Sequence, residues 1–89
     1  MIDSLDTKRK RLIFRSMHRG TKEMDLILGG FAQVHVPGFD AGELAQYEGI
    51  LGLSDPDLYN WITGQEAPPA NIRSAIFEKL MAYRPPAAR

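Results

Sequence analysis

Residues 21–31, which read TKEMDLILGGF, carry the clearest structural signal in the chain. Four apolar side chains follow the i, i+3, i+4, i+7 spacing of one helical face, namely Met24, Ile27, Leu28 and Phe31. Thr21 is suited to cap the helix, and the carboxylates of Glu23 and Asp25 suit the positive end of its dipole. The stretch therefore predicts an amphipathic helix that packs its apolar face against other helices.

Two consecutive glycines, Gly29 and Gly30, interrupt this pattern. Each costs about 1 kcal/mol relative to alanine in a helix interior. The sequence leaves two interpretations open. Either the helix ends at the glycines, or the glycines allow a neighbouring element to pack closely against it.

A basic helix is predicted before this one, over residues 6–18. Its apolar side chains, Ile13, Phe14 and Met17, gather on one side, opposite the basic residues of the helix. Gly20 follows and is expected to adopt the left-handed conformation that ends many helices.

Start and stop signals delimit three further helices. The third has the strongest start, because Asp40 as N-cap and Glu43 three residues later form a capping box. The fourth is predicted to have Asp55 as its N-cap and Pro56 at its first helical position, and Gly64 ends it. The fifth carries apolar residues at helical spacing, namely Ile72, Ala75, Ile76, Leu80 and Tyr83.

Five short helices without a convincing strand predict an all-α fold, a small five-helix bundle. The 89 residues suffice for a single domain, which we place at residues 1–84, with a flexible C-terminal tail at residues 85–89. A chain of this size buries about 60–65% of its extended-chain surface, so we expect modest stability. The residues expected in the core are Ile27, Leu28, Phe31, Leu44, Leu51, Leu58, Trp61, Ile76 and Leu80.

The composition excludes several classes of function. The chain has no cysteine, which excludes disulfides, thiolate catalysis and iron–sulfur or zinc–thiolate sites. Its two histidines, His18 and His35, make a metal site unexpected. The longest apolar runs of four or five residues fall far short of the ~20 that span a bilayer, and the N-terminus shows no apolar signal core. We expect a cytoplasmic protein that does not insert into membranes.

An enzymatic function is not indicated. The chain has no glycine-rich phosphate loop, no nucleophile elbow and no HExxH sequence. Glu23 and Asp25 are two residues apart, so on a helix they point in different directions and cannot act as a facing acid–base pair. His18 has no obvious nucleophile or orienting acid nearby in the sequence. We therefore predict no catalytic residue.

The charge distribution is uneven although the net charge is zero. Residues 1–22 hold seven basic and two acidic groups, and residues 23–89 hold four basic and nine acidic groups. Lys8, Arg11 and Arg15 recur on one side of the first helix. Most basic stripes of this kind are simply helix faces exposed to solvent. A small nucleic-acid-binding or regulatory protein that uses this helix is the alternative function. The acidic remainder and the lack of a recognition helix make nucleic acid an unlikely partner.

Two short motifs resemble those of one protein family. Residues 17–25, MHRGTKEMD, contain Arg-Gly-x-x-Glu-x-Asp and resemble the signature of the SdhE-type succinate dehydrogenase assembly factors, also called flavinylation factors. Residues 55–62, DPDLYNWI, resemble the second signature of that family, an acidic helix start followed by Leu-aromatic-x-Trp. The resemblance covers roughly residues 9–64.

The resemblance implies a function that composition cannot reveal. Members of this family bind the flavoprotein subunit of succinate dehydrogenase, in some cases that of fumarate reductase, and promote covalent attachment of FAD to a histidine of that subunit. The protein would then be an accessory factor and not an enzyme, with the FAD belonging to the partner and no cofactor bound by the isolated protein. We expect it to be a monomer when free.

By position, the resemblance assigns the functional motif to Arg19, Gly20 and Glu23. The residues predicted to bind the partner are Arg15, His18, Arg19, Gly20, Glu23, Asp25, Asp57 and Tyr59. Arg19 is suited to bidentate contact with a carboxylate or phosphate, and Glu23 to pairing with a base on the partner or to orienting Arg19. The alternative is a local Arg19–Glu23 ion pair across the helix junction, worth under about 0.5 kcal/mol.

Overall fold

Residues 4–84 are described by a computed structural model, and within that range the chain forms five α-helices and no strand. The helices are α1 (Leu5–Met17), α2 (Lys22–His35), α3 (Ala41–Leu51), α4 (Asp55–Ile62) and α5 (Ala75–Ala82). Short 3-10 turns cover Val36–Gly38 and Ala70–Ile72. The all-α prediction is confirmed, whereas the tail predicted at residues 85–89 lies outside the described residues.

One hydrophobic core joins all five helices. α1 packs along α2 and against α3, and α5 packs against α3 and α4. Phe31 of α2 is fully buried, and its ring centroid lies 5.6 Å from that of Tyr47 and 5.8 Å from that of Tyr83. The predicted core residues that are buried as expected are Ile27, Leu28, Phe31, Leu44, Leu51, Leu58, Ile76 and Leu80.

Trp61, the ninth residue predicted to lie in the core, is partly buried and packs against the core cluster. The side of α4 that faces the core carries Leu58 and Ile62, which are four residues apart and both buried. Trp61 lies beside them and packs its ring edge-to-face on Phe77, with 6.0 Å between the centroids. Trp61 thus lies at the edge of the core, in keeping with the prediction that it is mostly buried.

The three apolar residues grouped on one side of α1 differ in burial, since only Ile13 packs against the core. Phe14 and Met17 are exposed, and the buried residues of the helix are Leu12 and Ser16. Ser16 is buried because its Oγ donates to the Leu12 carbonyl at 2.7 Å and lies 2.6 Å from the Tyr47 hydroxyl. The Ser16 hydroxyl has a single proton, which it donates to the Leu12 carbonyl, so the Tyr47 hydroxyl is the donor in its bond with Ser16. A buried polar pair thus sets the rotation of α1, and hydrophobic periodicity does not register such a pair.

The ends of two helices also differ from the sequence prediction. Ser54 is the N-cap of α4, with its Oγ accepting from the Asp57 amide, so Asp55 is the first helical residue and not the cap. Gly20 does not adopt a left-handed conformation; among the described residues only Gly64 has a positive φ, at 81°. By contrast, the capping box predicted at α3 is confirmed, with the Asp40 carboxylate and the Glu43 amide 2.8 Å apart.

The glycine pair lies inside α2 and permits close packing, which decides between the two interpretations of the sequence. A Cβ on Gly29 would lie 3.1 Å from Cγ of Met17, closer than side chains normally approach. A Cβ on Gly30 would collide with the hydroxyl of Tyr83. The two glycines therefore let the end of α1 and the residue after α5 contact the backbone of α2.

Tyr47→Phe tests the buried hydroxyl pair and its dependence on pH. We expect a loss of about 1 kcal/mol in the free energy of unfolding at pH 7, because Ser16 keeps its bond to the Leu12 carbonyl. Burial raises the pKa of Tyr47 to about 12 from the 10.0 of an exposed tyrosine. Since the unfolded chain then releases this proton first, stability must fall between pH 10 and 12.

The phenylalanine variant lacks the group that titrates, so it should lose less stability than the parent over that interval. Urea unfolding of both proteins at pH 7 and pH 11 measures the difference. An alkaline loss of equal size in the two proteins would contradict the buried Ser16–Tyr47 pair.

Candidate partner-binding site

The junction between α1 and α2 is fastened to the start of α4 by Arg19. Nη2 and Nε of Arg19 donate to Oδ1 of Asp55 at 2.7 and 2.9 Å. The same guanidinium donates to the carbonyls of Leu51 at 2.9 Å and Leu53 at 3.3 Å, which belong to the end of α3 and the loop after it. One side chain thus joins the α1–α2 junction to residues 51–55, which lie more than thirty residues later in the sequence.

Backbone hydrogen bonds fix the junction as well. The amide of Arg19 donates to Oδ1 of Asp25, and the amide of Gly20 donates to Oδ2 of Asp55 at 3.2 Å. The hydroxyl of Thr21 caps α2 by accepting from the Met24 amide at 3.2 Å. Two consecutive amides of the connection between the helices are therefore bound by carboxylates of the same chain.

This geometry corrects the roles considered for Arg19. Its side chain is only 12% exposed, and the carboxylate that it binds is Asp55 of the same chain. The local ion pair with Glu23 is not the pairing that the structure shows. Arg19 thus holds the junction in place, and Asp55, not Glu23, orients its guanidinium.

An open pocket of about 310 Å³ lies beside this junction, between the first turns of α2 and α4. Its lining residues are Thr21, Glu23, Met24, Asp55, Pro56 and Tyr59. Glu23 is exposed and Tyr59 half-buried at its edges. The two sequence motifs, about thirty residues apart in the chain, therefore meet at one surface.

The other residues predicted to bind a partner are distributed around this pocket. His18 is exposed, stacks on Phe14 at 4.1 Å between centroids, and places Nδ1 2.9 Å from the Phe14 carbonyl oxygen. Arg15 and Asp57 are exposed on the first and fourth helices but do not line the pocket. Asp25 is half-buried, since it accepts from the Arg19 amide.

Asp55 is the residue whose part in the site the sequence analysis missed. It was assigned to helix capping because it precedes Pro56. The sequence did hold a signal, since Ser54 with Asp57 three residues later is itself a capping pattern. With Ser54 as the cap, Asp55 is available for contacts elsewhere.

Part of the basic stripe on α1 is used within the fold. Lys8 pairs with Glu48 at 3.1 Å, and Arg9 donates to Asp6 and to the carbonyl of Phe39. Nothing in these contacts favours the nucleic-acid alternative.

Residues 4–84 contain no group of three or more histidines and carboxylates placed to hold a metal ion. In the same range, no helix is both long and apolar enough to cross a membrane.

Comparisons with known proteins give one consistent result. A family model described as "Flavinator of succinate dehydrogenase" matches residues 10–84. The chain is similar to an FAD assembly factor SdhE of Acetobacter pasteurianus, with 35% identity over 79 residues, 89% of this chain and 72% of that protein. It is also similar to mitochondrial succinate dehydrogenase assembly factor 2 of Arabidopsis thaliana (38% identity, 80% of this chain) and of Candida glabrata (44%, 68%). The chain spans 40% of the length of each of these two mitochondrial relatives.

Asp55→Ala should destabilise the fold, because it leaves a nearly buried guanidinium without its carboxylate. We expect a loss of about 2 kcal/mol in the free energy of unfolding, below the 3–5 kcal/mol of fully buried pairs. Asp57→Ala in the same helical turn is the matched control, with an expected loss under about 0.5 kcal/mol. Urea unfolding of the two variants measures the difference, and equal losses would contradict the anchoring role of Asp55.

Proposed function

The chain belongs to the family of flavinators of succinate dehydrogenase, and on that premise we propose that it is an assembly factor for the flavoprotein subunit of that enzyme. It binds this subunit and promotes the covalent attachment of FAD to it. The observation that carries the proposal is the family match over residues 10–84, which covers all five helices except the first turn and a half of α1. The flavoprotein of fumarate reductase is a second candidate partner.

We propose that the partner contacts the surface formed by Gly20, Glu23 and Tyr59. The fold does not itself need a glycine at position 20, since its φ is not positive. A Cβ there would meet only Oδ2 of Asp55, at an ordinary 3.7 Å. The absence of a side chain instead leaves exposed backbone that a partner surface is able to approach closely.

Glu23 supplies the exposed charge of this surface. It lies in the first turn of α2, where the helix dipole favours a carboxylate, and it faces the pocket shared with Tyr59. A basic side chain of the flavoprotein would pair with it. If that pair loses its water in the interface, removing the carboxylate costs about 2 kcal/mol of binding or more.

The role of this chain in the reaction is to bind and hold its partner. FAD, when bound to the flavoprotein, supplies the chemistry of its own attachment. Arg19 and Asp55 hold the junction in one conformation, so little conformational entropy is lost when the partner binds. We propose that the protein acts as an accessory factor, free of cofactor, in the compartment where the flavoprotein matures.

Glu23→Ala should lower the covalent flavin content of the flavoprotein in cells. The side chain is exposed, so we expect helical content and stability close to those of the parent. Glu78→Ala removes an exposed carboxylate from α5 and is the matched control. In-gel flavin fluorescence, at equal levels of the factor, measures the effect. Normal fluorescence with Glu23→Ala would remove the proposed role from this residue.

Gly20→Arg separates the demands of the interface from those of the fold. The large side chain should block the approach of the partner and lower flavin attachment, whereas Gly20→Ala should leave stability nearly unchanged because its Cβ fits. Thermal unfolding and in-gel fluorescence of both variants provide the comparison. A Gly20→Ala variant that unfolds well below the parent would show that the fold itself needs this glycine.

The isolated protein should not bind FAD. Titration of the purified protein into FAD, followed by flavin fluorescence and equilibrium dialysis, is expected to show no saturable binding. Stoichiometric binding would mean that the factor carries the cofactor to its partner, in contradiction to a role confined to protein binding.

A further inference from the structure

Large apolar side chains are exposed next to each other on α1 and α2. Phe14 is 62% exposed, Met17 41% and Leu26 60%. Phe14 and Met17 are one turn apart on α1, and Met17 packs on Gly29, which lies one turn from Leu26 on α2. By this spacing we infer that the three residues are neighbours at the surface of the helix pair, and they are called the apolar patch below.

Two lysines lie at the edge of this patch. Lys10 lies one turn before Phe14 and Lys22 one turn before Leu26, and both are exposed. Neither forms an ion pair with a carboxylate of residues 4–84. Lys8, on another side of α1, does pair with Glu48. The outer face of the helix pair is thus both apolar and positively charged.

The contacts of Phe14 with His18 and of Met17 with Gly29 still leave much of these side chains in solvent. The buried Ser16–Tyr47 pair turns Leu12 inward, and this orientation leaves Phe14 and Met17 outside. Exposed groups of large apolar side chains with a polar rim are typical of protein interaction sites. The patch therefore requires a partner whose surface is complementary to it.

We propose that Phe14, Met17 and Leu26, with Lys10 and Lys22 at their edge, form a second docking surface for an acidic, partly apolar face of the flavoprotein. This inference rests on the function proposed above. The surface adjoins the pocket, because Glu23 lies one turn before Leu26 on α2. One partner is therefore able to cover both at once.

The opposite charges of the two surfaces would fix the orientation of the partner. Glu23 selects a basic group on the partner, and Lys10 and Lys22 select acidic groups. A partner docked in the reverse orientation would place like charges together. The contacts thus determine how the factor is seated as well as how tightly it binds.

The same charges disfavour a second copy of this chain as the occupant. A symmetric dimer through the patch would bring Lys10 and Lys22 against the same lysines of the other copy. A membrane surface is disfavoured by the shape of α1. Interfacial helices bury a continuous apolar face, whereas here Leu12 is turned inward and the exposed large apolar residues are Leu5 at the start of α1 and Phe14 and Met17 near its end.

The test uses the full chain and the purified flavoprotein subunit of succinate dehydrogenase, with binding measured by calorimetry at two salt concentrations. Phe14→Ser and Leu26→Ser should each weaken binding about tenfold. Lys22→Glu should weaken it by a similar factor and reduce its salt dependence. The controls are Val34→Ser, an exposed apolar residue two turns beyond Leu26, and Lys79→Glu on α5, both expected to bind as the parent does.

The outcomes separate this inference from the proposed function. If the patch variants bind like the parent while Glu23→Ala binds weakly, the patch proposal is overturned and the assembly role stands. If the parent itself does not bind the flavoprotein, the assembly role fails first. Loss of a dimer in Phe14→Ser by analytical ultracentrifugation would assign the patch to a second copy. Patch-dependent binding to vesicles of phosphatidylcholine and phosphatidylglycerol would assign it to membranes, and either result would overturn the proposal.

Discussion

The contact between Arg19 and Asp55 is the constraint on which the rest of the site depends. It fixes the junction of α1 and α2 against the first turn of α4, and the carbonyls of Leu51 and Leu53 add the end of α3 to the same guanidinium. Burying a guanidinium costs free energy unless its N–H groups are hydrogen-bonded. The position of Arg19 therefore depends on the segments whose oxygens accept from it. The pocket between the two helix starts exists because this contact holds them at a set distance.

Much of the fold could be predicted from the sequence because its determinants are local. The capping box at Asp40 and the apolar spacing in α2 depend on residues within a few positions of each other, and the structure bears both out. The rotation of α1 could not be predicted, because it depends on a hydroxyl pair between Ser16 and Tyr47, thirty-one residues apart. Helix periodicity also does not say how wide a face the neighbours will cover, so it could not show that Trp61 lies at the edge of the core while Leu58 and Ile62 lie inside it.

The candidate site shows the same division. The sequence identified the motif at Arg19, Gly20 and Glu23, but it did not reveal which of its residues act inside the fold. The structure separates them: Arg19 is used within the chain, whereas Gly20 and Glu23 remain at the surface. Asp25 serves the backbone of the junction in the same way. A motif read as one functional unit thus has one residue used inside the fold and two at the surface, where we propose that the partner contacts them.

The uneven charge of the chain gains a physical meaning from this arrangement. The basic N-terminal quarter and the acidic remainder partly neutralise each other in the fold, through Lys8 with Glu48 and Arg19 with Asp55. Lysines that are left over from this pairing lie on the outer face of α1 and α2, while Glu23 stands at the start of α2. The net charge of zero therefore conceals a directional charge pattern. Because such a pattern acts over roughly a Debye length of about 8–10 Å, it is able to orient a partner before contact is made. For a domain with so small a surface, orientation by charge lowers the number of collisions in which the partner arrives in the wrong orientation.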